Sequence, residues 1–319
     1  VQTCALPIYS IYVAQSGLIS SNKDLSAPDH YARYSAQKLK YEMKEKQKEL
    51  RIPLRWSNGS LQVTKTYVFY SDAFHIDIEY EIINNSSATW SGYQYQQLMH
   101  GPKNDNGQNQ FIRTFTGFAY YDESFNKIKF SKIEDEELNQ TITGGWIASL
   151  EHYFISAWIP NPKQRNFFYT KKIQETESTI PKYIIGTTTP INTIHNGESL
   201  TTSVRFYAGA KIQDELEELS EGLDLTVDYG LLSFISKPLF YTLEFFHSLT
   251  GNWGFAIILV TILIKLVFLY PSKISYRSMA KMRALQPRMQ ELKEKYGEDK
   301  AKMNEALMKL YKKEKINTL

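Results

Sequence analysis

The chain has one cysteine in 319 residues, Cys4. A lone thiol closes no disulfide within the chain and builds no cysteine-based metal site. No Walker phosphate loop, dinucleotide glycine fingerprint, His-Glu-x-x-His or Gly-x-Ser-x-Gly occurs. Nucleotide, zinc-hydrolase and serine-hydrolase chemistry therefore lack their motifs. His30, His75, His100, His152, His195 and His247 are far apart, and Asp105, Asp122 and residues 134–137 are loop acids of an ordinary kind. The expectation is no catalytic residue, no metal and no cofactor. A charged-then-apolar leader is also missing. Residues 1–8 carry no usable pattern and are set aside as non-native, and the chain reads as a fragment at both ends.

Long apolar runs are scarce as well, with one exception. From 255 to 270 a single charge, Lys265, interrupts the apolar residues. A spanning helix needs about 20 mostly apolar residues. Trp253 and Tyr270 bracket the run as interfacial aromatics do, and Pro271 sits where such a helix bends or stops. The expected transmembrane helix is 252–271. A lysine inside it costs about 3 kcal/mol unless it finds water or a partner. Two readings stay open from the residues: Lys265 snorkels to the nearer headgroups, or it faces a polar cavity between helices. Thr261, on the same helical face, tilts toward a polar stripe.

Charge divides at this run. After Pro271 there are thirteen basic and six acidic residues, a net +7; Lys265 adds +1 and the whole chain is +3, so residues 1–252 carry −5. Basic residues crowd the cytoplasmic end of spanning helices. Residues 272–319 are expected in the cytoplasm and 1–250 outside.

Residues 9–222 read as a β-sandwich domain. Residues 75–82 alternate polar and apolar, as a strand with one wet face does. The same period recurs at Leu61/Val63, Tyr67/Phe69, Tyr93/Tyr95, Ile128/Phe130 and Leu200/Val204/Phe206. Residues 38–51 are helix formers by propensity, yet Leu39/Tyr41/Met43 and Leu50/Ile52/Leu54/Trp56 alternate. The pattern predicts two strands and a charged hairpin at Lys46-Gln47, with Pro53 marking an edge. Gly144-Gly145-Trp146 and the aromatic run 153–160 read as core packing. Residues 214–219 read as a short acidic helix.

Residues 228–250 pattern as an amphipathic helix, with Phe234, Ile235, Leu239, Leu243, Phe246 and Leu249 on one face. Its place before a spanning helix favours lying in the membrane interface. Residues 272–319 read as a truncated helical hairpin: Met282, Leu285, Met289, Leu292 and Tyr296 form a seam, kinked at Pro287 and broken at Gly297, with Met303, Leu307 and Leu310 following. Met282 and Met289 suit adaptable contacts. Arg283 and Arg288 on the outer face serve topology or attract ribosomal RNA or anionic lipid. No motif supports sequence-specific nucleic-acid binding.

Several stretches resemble one family. Asn252-Trp253-Gly254-Phe255, Ser278-Met279-Ala280-Lys281-Met282 and Leu285-Gln286-Pro287 resemble the YidC membrane protein insertases of the Oxa type. Residues 224–230, Gly144-Gly145-Trp146 and Ala14-Gln15-Ser16-Gly17-Leu18 are similar to the periplasmic part of Gram-negative members. The resemblance implies a periplasmic β-supersandwich akin to mutarotase folds, an interfacial helix, a first core transmembrane helix, and a cytoplasmic hairpin, in a multi-pass protein of the bacterial inner membrane. It implies that Lys265 stands where the family carries a basic residue, usually arginine, in a water-filled groove that Thr261 also lines. Implied partners are nascent membrane proteins, the Sec translocon with its accessory subunits, the ribosome and signal recognition particle machinery, and membrane lipids. Two other readings compete: a membrane-anchored carbohydrate-binding or mutarotase-like protein, and a scaffold whose β-domain binds Sec partners.

Overall fold

The structure, a computed structural model, describes residues 11–22, 25–101, 115–174, 181–229, 233–297 and 299–313. Residues 1–10, Asp105 and, within the segments read above, residues 230–232, 298 and 314–319 lie outside them. Contacts divide the chain into two units, Val1–Val227 and Asp228–Leu319.

The first unit is built from β1 (Tyr12–Ser20), β2 (Ser35–Ala36), β3 (Glu49–Ser57), β4 (Leu61–Tyr70), β5 (His75–Asn84), β6 (Trp90–His100), β7 (Gly117–Asp122), β8 (Ser124–Ile128), β9 (Asn139–Thr143), β10 (Trp146–Leu150), β11 (Phe154–Ile159), β12 (Arg165–Ile173), β13 (Lys182–Thr188), β14 (Asn192–Ile194) and β15 (Ser199–Ala210). Nine strands pair in the order β2-β3-β4-β5-β15-β11-β10-β7-β8. Six form the other sheet, β1-β6-β13-β12-β9, with β14 also on β6. Leu18, Leu98, Phe168 and Ile185 of the smaller sheet share one buried cluster with Leu61, Ile78, Trp158 and Val204 of the larger. Two sheets closing on one core make a sandwich.

The larger sheet is buried on both faces at its centre. Ile147, Trp158 and Val204 face the inter-sheet core. Their alternates Trp146, Ala148, Ile155, Ala157 and Tyr207 form a second cluster with Leu216 and Leu223. Leu216 belongs to α1 (Gln213–Leu219), the expected acidic helix. Strands wet on neither face lose the alternation that marks a half-buried strand. That is why residues 146–159 read only as an apolar, aromatic run. The run is not uniformly core: Tyr153 and Phe154 are 70% and 61% exposed. Gly145 has a φ of +70°, and a Cβ there would lie 2.3 Å from the Tyr121 carbonyl oxygen. Only glycine fits that turn into β10.

Two local readings need correction. Leu39, Tyr41 and Met43 form no strand, and Leu39 is fully exposed. The turn at Lys46, with a φ of +70°, leads into β3, which pairs with β4 and touches β2 only at Leu54 and Arg55. No neighbouring strand is there to pair with 39–43, so alternation alone does not make a strand. Pro53 sits where β3 has no β2 partner, as an edge proline should. Phe130 lies in a short 3-10 turn, not a strand, and stacks on His100 and Tyr183.

The second unit is helical: α2 (Ser233–Thr250), α3 (Trp253–Tyr296) and α4 (Lys300–Lys313). Gly251, at φ +64°, ends α2 and donates its N–H to the His247 carbonyl. Asn252 then caps α3: its Oδ1 accepts from the N–H groups of Gly254 and Phe255 at 2.8 and 3.4 Å. The His247 ring stacks on Trp253 at 3.8 Å between centroids. Asn252→Ala is expected to cost the start of α3 about 1 kcal/mol, read as faster amide exchange at Gly254 and Phe255 with the helix centre unchanged.

Pro271 does not end the spanning helix. α3 runs on for 44 residues through Pro271 and Pro287, about 66 Å of helix. Each proline forfeits one backbone hydrogen bond, and helical residues on both sides carry the helix through. Residues 272–296 are thus a continuation of the apolar helix rather than a separate one. α4 begins at Lys300 and packs against α3.

Candidate functional site

The amino-terminal part of α3 is long and apolar enough to cross a membrane. Trp253 and Tyr270, 49% and 70% exposed, lie 17 residues apart, or about 26 Å, close to a bilayer's hydrocarbon thickness. Phe255, Ile258, Ile262, Leu266 and Leu269 between them are exposed, so this surface is apolar outward as well as long. That is the reverse of a soluble helix, whose apolar stripe is covered.

Lys265 and Thr261 lie one turn apart on this helix, both exposed. The Thr261 hydroxyl donates to the Ile257 carbonyl at 2.8 Å. Its donor is satisfied within the helix, and its oxygen remains able to accept. The structure thus brings Thr261 and Lys265 together as a polar spot on an otherwise apolar wall. Farther along α3, Met282 and the half-buried Met289 flank Leu285, which is 7% exposed. Arg283 and Arg288 are exposed. Lys309 donates to Glu305 at 2.6 Å across one turn of α4, a surface pair of the kind that adds a few tenths of a kcal/mol.

The β unit holds a feature that the sequence reading passed over. β4 points Leu61, Val63, Lys65 and Tyr67 to one side, and Lys65 is 6% exposed. Its Nζ donates to the carbonyl oxygen and Oγ of Ser16, both at 3.1 Å. The Tyr67 and Tyr80 rings lie 5.2 Å from it and the Tyr34 ring 6.0 Å. Lys65, His30, Asp29 and Trp158 line an inter-sheet cavity of about 500 Å³. A charge at an inward register position was the available signal; it was hidden by counting only apolar residues in the alternation. Elsewhere, buried His100 faces Glu151 at 3.1 Å and packs edge-on to Tyr12. No group of three metal-ligating side chains occurs among the described residues.

Residues 8–242 match the family model of the YidC periplasmic domain, and 245–319 that of the 60Kd inner membrane protein. The chain belongs to the YidC family. Among its relatives, the membrane protein insertase YidC of Thioalkalivibrio sulfidiphilus is 46% identical over 314 residues, 97% of this chain and 56% of that protein. The YidC of Methylococcus capsulatus is 42% identical over 313 residues, with the same coverage. The chain spans about half the length of the curated relatives it matches. These YidC relatives are named as insertases and not as enzymes. The family places a mostly β periplasmic domain ahead of an inner-membrane segment, which is the division seen here. Among solved structures, a galactose mutarotase related enzyme from Lactobacillus acidophilus is 8% identical, with a TM-score of 0.38 over 56% of this chain and 72% of that one. A galactose mutarotase-like protein from Lactobacillus casei is also 8% identical, with a TM-score of 0.39 over 62% and 85%. Scores of this size carry no argument about sugar chemistry.

Proposed function

We propose that this chain works within a membrane protein insertase, with 9–222 as the periplasmic β-domain, 228–250 as an interfacial segment carrying the helix α2, 252–271 as the spanning part of α3 and 272–319 as the cytoplasmic hairpin. The observation that carries the reading is one lysine, with a threonine one turn away, on an apolar wall long enough to span a bilayer. A cation held at membrane depth lowers the cost of bringing an acidic group there, because Coulomb attraction strengthens as the dielectric falls. Thr261 Oγ1 accepts hydrogen bonds beside it. An incoming polar segment then crosses a shorter apolar distance, while its apolar helix slides along the lipid-facing wall. Binding energy between chains drives the step, and no nucleotide is involved.

The remaining assignments rest on charge and shape. The net +7 after Pro271 favours a cytoplasmic place for Arg283 and Arg288, where they meet the incoming chain, the ribosome or the signal recognition particle machinery. Met282 and Met289 supply an adaptable seam for that contact. The exposed apolar side chains Phe234, Phe245 and Leu249 of α2 support its lying in the interface among membrane lipids. The β-domain is the part open to the Sec translocon's periplasmic subunits.

In the full-length protein, Lys265→Ala is expected to lower insertion of substrates with acidic translocated tails about tenfold, equivalent to about 1.4 kcal/mol. Lys265→Arg retains the charge, and neutral-tailed substrates are spared in both variants. A protease-protection assay of tail translocation reads all three. Normal insertion of acidic tails by Lys265→Ala would sink the groove-charge reading.

A further inference from the structure

The inter-sheet cavity of the β unit holds a buried cation, Lys65. A buried ammonium is ordinarily paired with a carboxylate, because an isolated charge in a protein interior is costly. Lys65 is buried, and among the described residues no carboxylate pairs with it. Its two protein hydrogen bonds go to Ser16, both to uncharged oxygens. An ammonium has three protons, so one remains. The Tyr34 ring lies 6.0 Å from the ammonium nitrogen, and the Tyr34 hydroxyl is buried with no hydrogen-bond partner. The lysine and this tyrosine line the same cavity, and its volume is in the range of small-ligand sites. Trp158 and Phe206, packed together at 4.5 Å, line it as well.

These groups have a common complement. We propose that the cavity binds a small organic carboxylic acid whose carboxylate sits on the Lys65 ammonium and accepts from the Tyr34 hydroxyl, with its apolar body against Trp158 and Phe206. The anion supplies the missing counter-charge, and its oxygens satisfy the orphan donors. Asp29, the carboxylate of the cavity wall, is held by accepting from the Tyr31 backbone N–H at 2.9 Å rather than by Lys65. His30 shares a hydrogen bond with the Tyr95 hydroxyl at the rim, which keeps its ring in place. The site lies wholly within the β unit, so it stands or falls apart from the insertase reading.

The test is ligand binding to the full chain in a nonionic detergent, followed by saturation-transfer NMR. Benzoate is the probe, benzamide its neutral isostere, and a capped glutamate tripeptide the polypeptide alternative. Wild-type protein is expected to bind benzoate at least tenfold tighter than benzamide. Lys65→Met should erase that preference and leave benzamide unaffected. Tyr34→Phe, a smaller change that keeps the ring, should weaken benzoate about threefold. Equal affinity for benzoate and benzamide, or an undiminished preference in Lys65→Met, overturns the proposal. So does tighter binding of the glutamate peptide, which assigns the cavity to a polypeptide chain.

Discussion

Trp158→Ala is expected to destabilise the β unit by about 3–5 kcal/mol, the range for deleting a large buried aromatic. The reason is its place between the sheets. Trp158 is 2% exposed in β11 of the larger sheet, and its indole N–H donates to the Gln97 carbonyl of the smaller sheet at 3.1 Å. Its ring meets Phe206 at 4.5 Å. Removing it deletes the apolar volume and the one side-chain hydrogen bond it sends across the core. The site is also next to a cavity, so collapse of the neighbours recovers little. Trp158→Phe keeps the ring but loses the donor, and should cost about 1–2 kcal/mol. Urea unfolding of the full chain, followed by near-ultraviolet circular dichroism of the β unit, separates the two. A loss under about 1 kcal/mol for Trp158→Ala would mean that the sheets do not depend on this residue.

The parts of the fold with one wet face were legible. β5 and β15 are paired, with Ile76, Ile78 and Ile82 opposite Phe206, Val204 and Leu200. Their apolar alternation was plain in the sequence because solvent enforces it. β10 and β11 were legible only as apolar, because a second core on the outer face removes the polar half of the pattern. The failure at 39–43 has the opposite cause: alternation is present, but no strand is there to receive it. In the membrane segment, composition marked the helix and Asn252 its start. Composition did not mark its end, because Pro271 weakens a helix locally without deciding whether flanking turns continue. Spacing placed Thr261 and Lys265 on one helical face but left their role open, and the groove reading came from the resemblance alone. Lys65 was not legible, since its meaning comes from Ser16, 49 residues away, and from Tyr34, which reaches it through a loop. Long-range closure of this kind leaves no local period to read.

Lys65→Met is expected to stabilise the β unit at pH 7, and the gain should disappear as pH rises. Burial pushes the Lys65 ammonium down from 10.5 to about 8. Between those values the unfolded chain holds a proton that the folded chain has released, so folding stability rises with pH across that window. Below about pH 8 both states are charged and the full penalty is present. A shift of this size corresponds to about 3 kcal/mol. Methionine has similar length and no charge to desolvate, and such replacements of buried charge are often neutral or stabilising. Against that stand the two hydrogen bonds to Ser16, although the Tyr80 hydroxyl still donates to Ser16 Oγ at 2.9 Å. The net expectation is a gain of about 1–2 kcal/mol at pH 7, falling to zero or below by pH 10. The neighbours do not confuse the signal. Burial raises Tyr34, Tyr67 and Tyr80 above the ordinary tyrosine range and lowers His30, so all four stay neutral in the window. Lysines elsewhere cancel in the difference between variant and wild type. Urea midpoints of both proteins at pH 7, 8, 9 and 10 give the curve. A difference that stays flat with pH would show that Lys65 is not buried as an ammonium, and would remove the unpaired charge on which the carboxylate site depends.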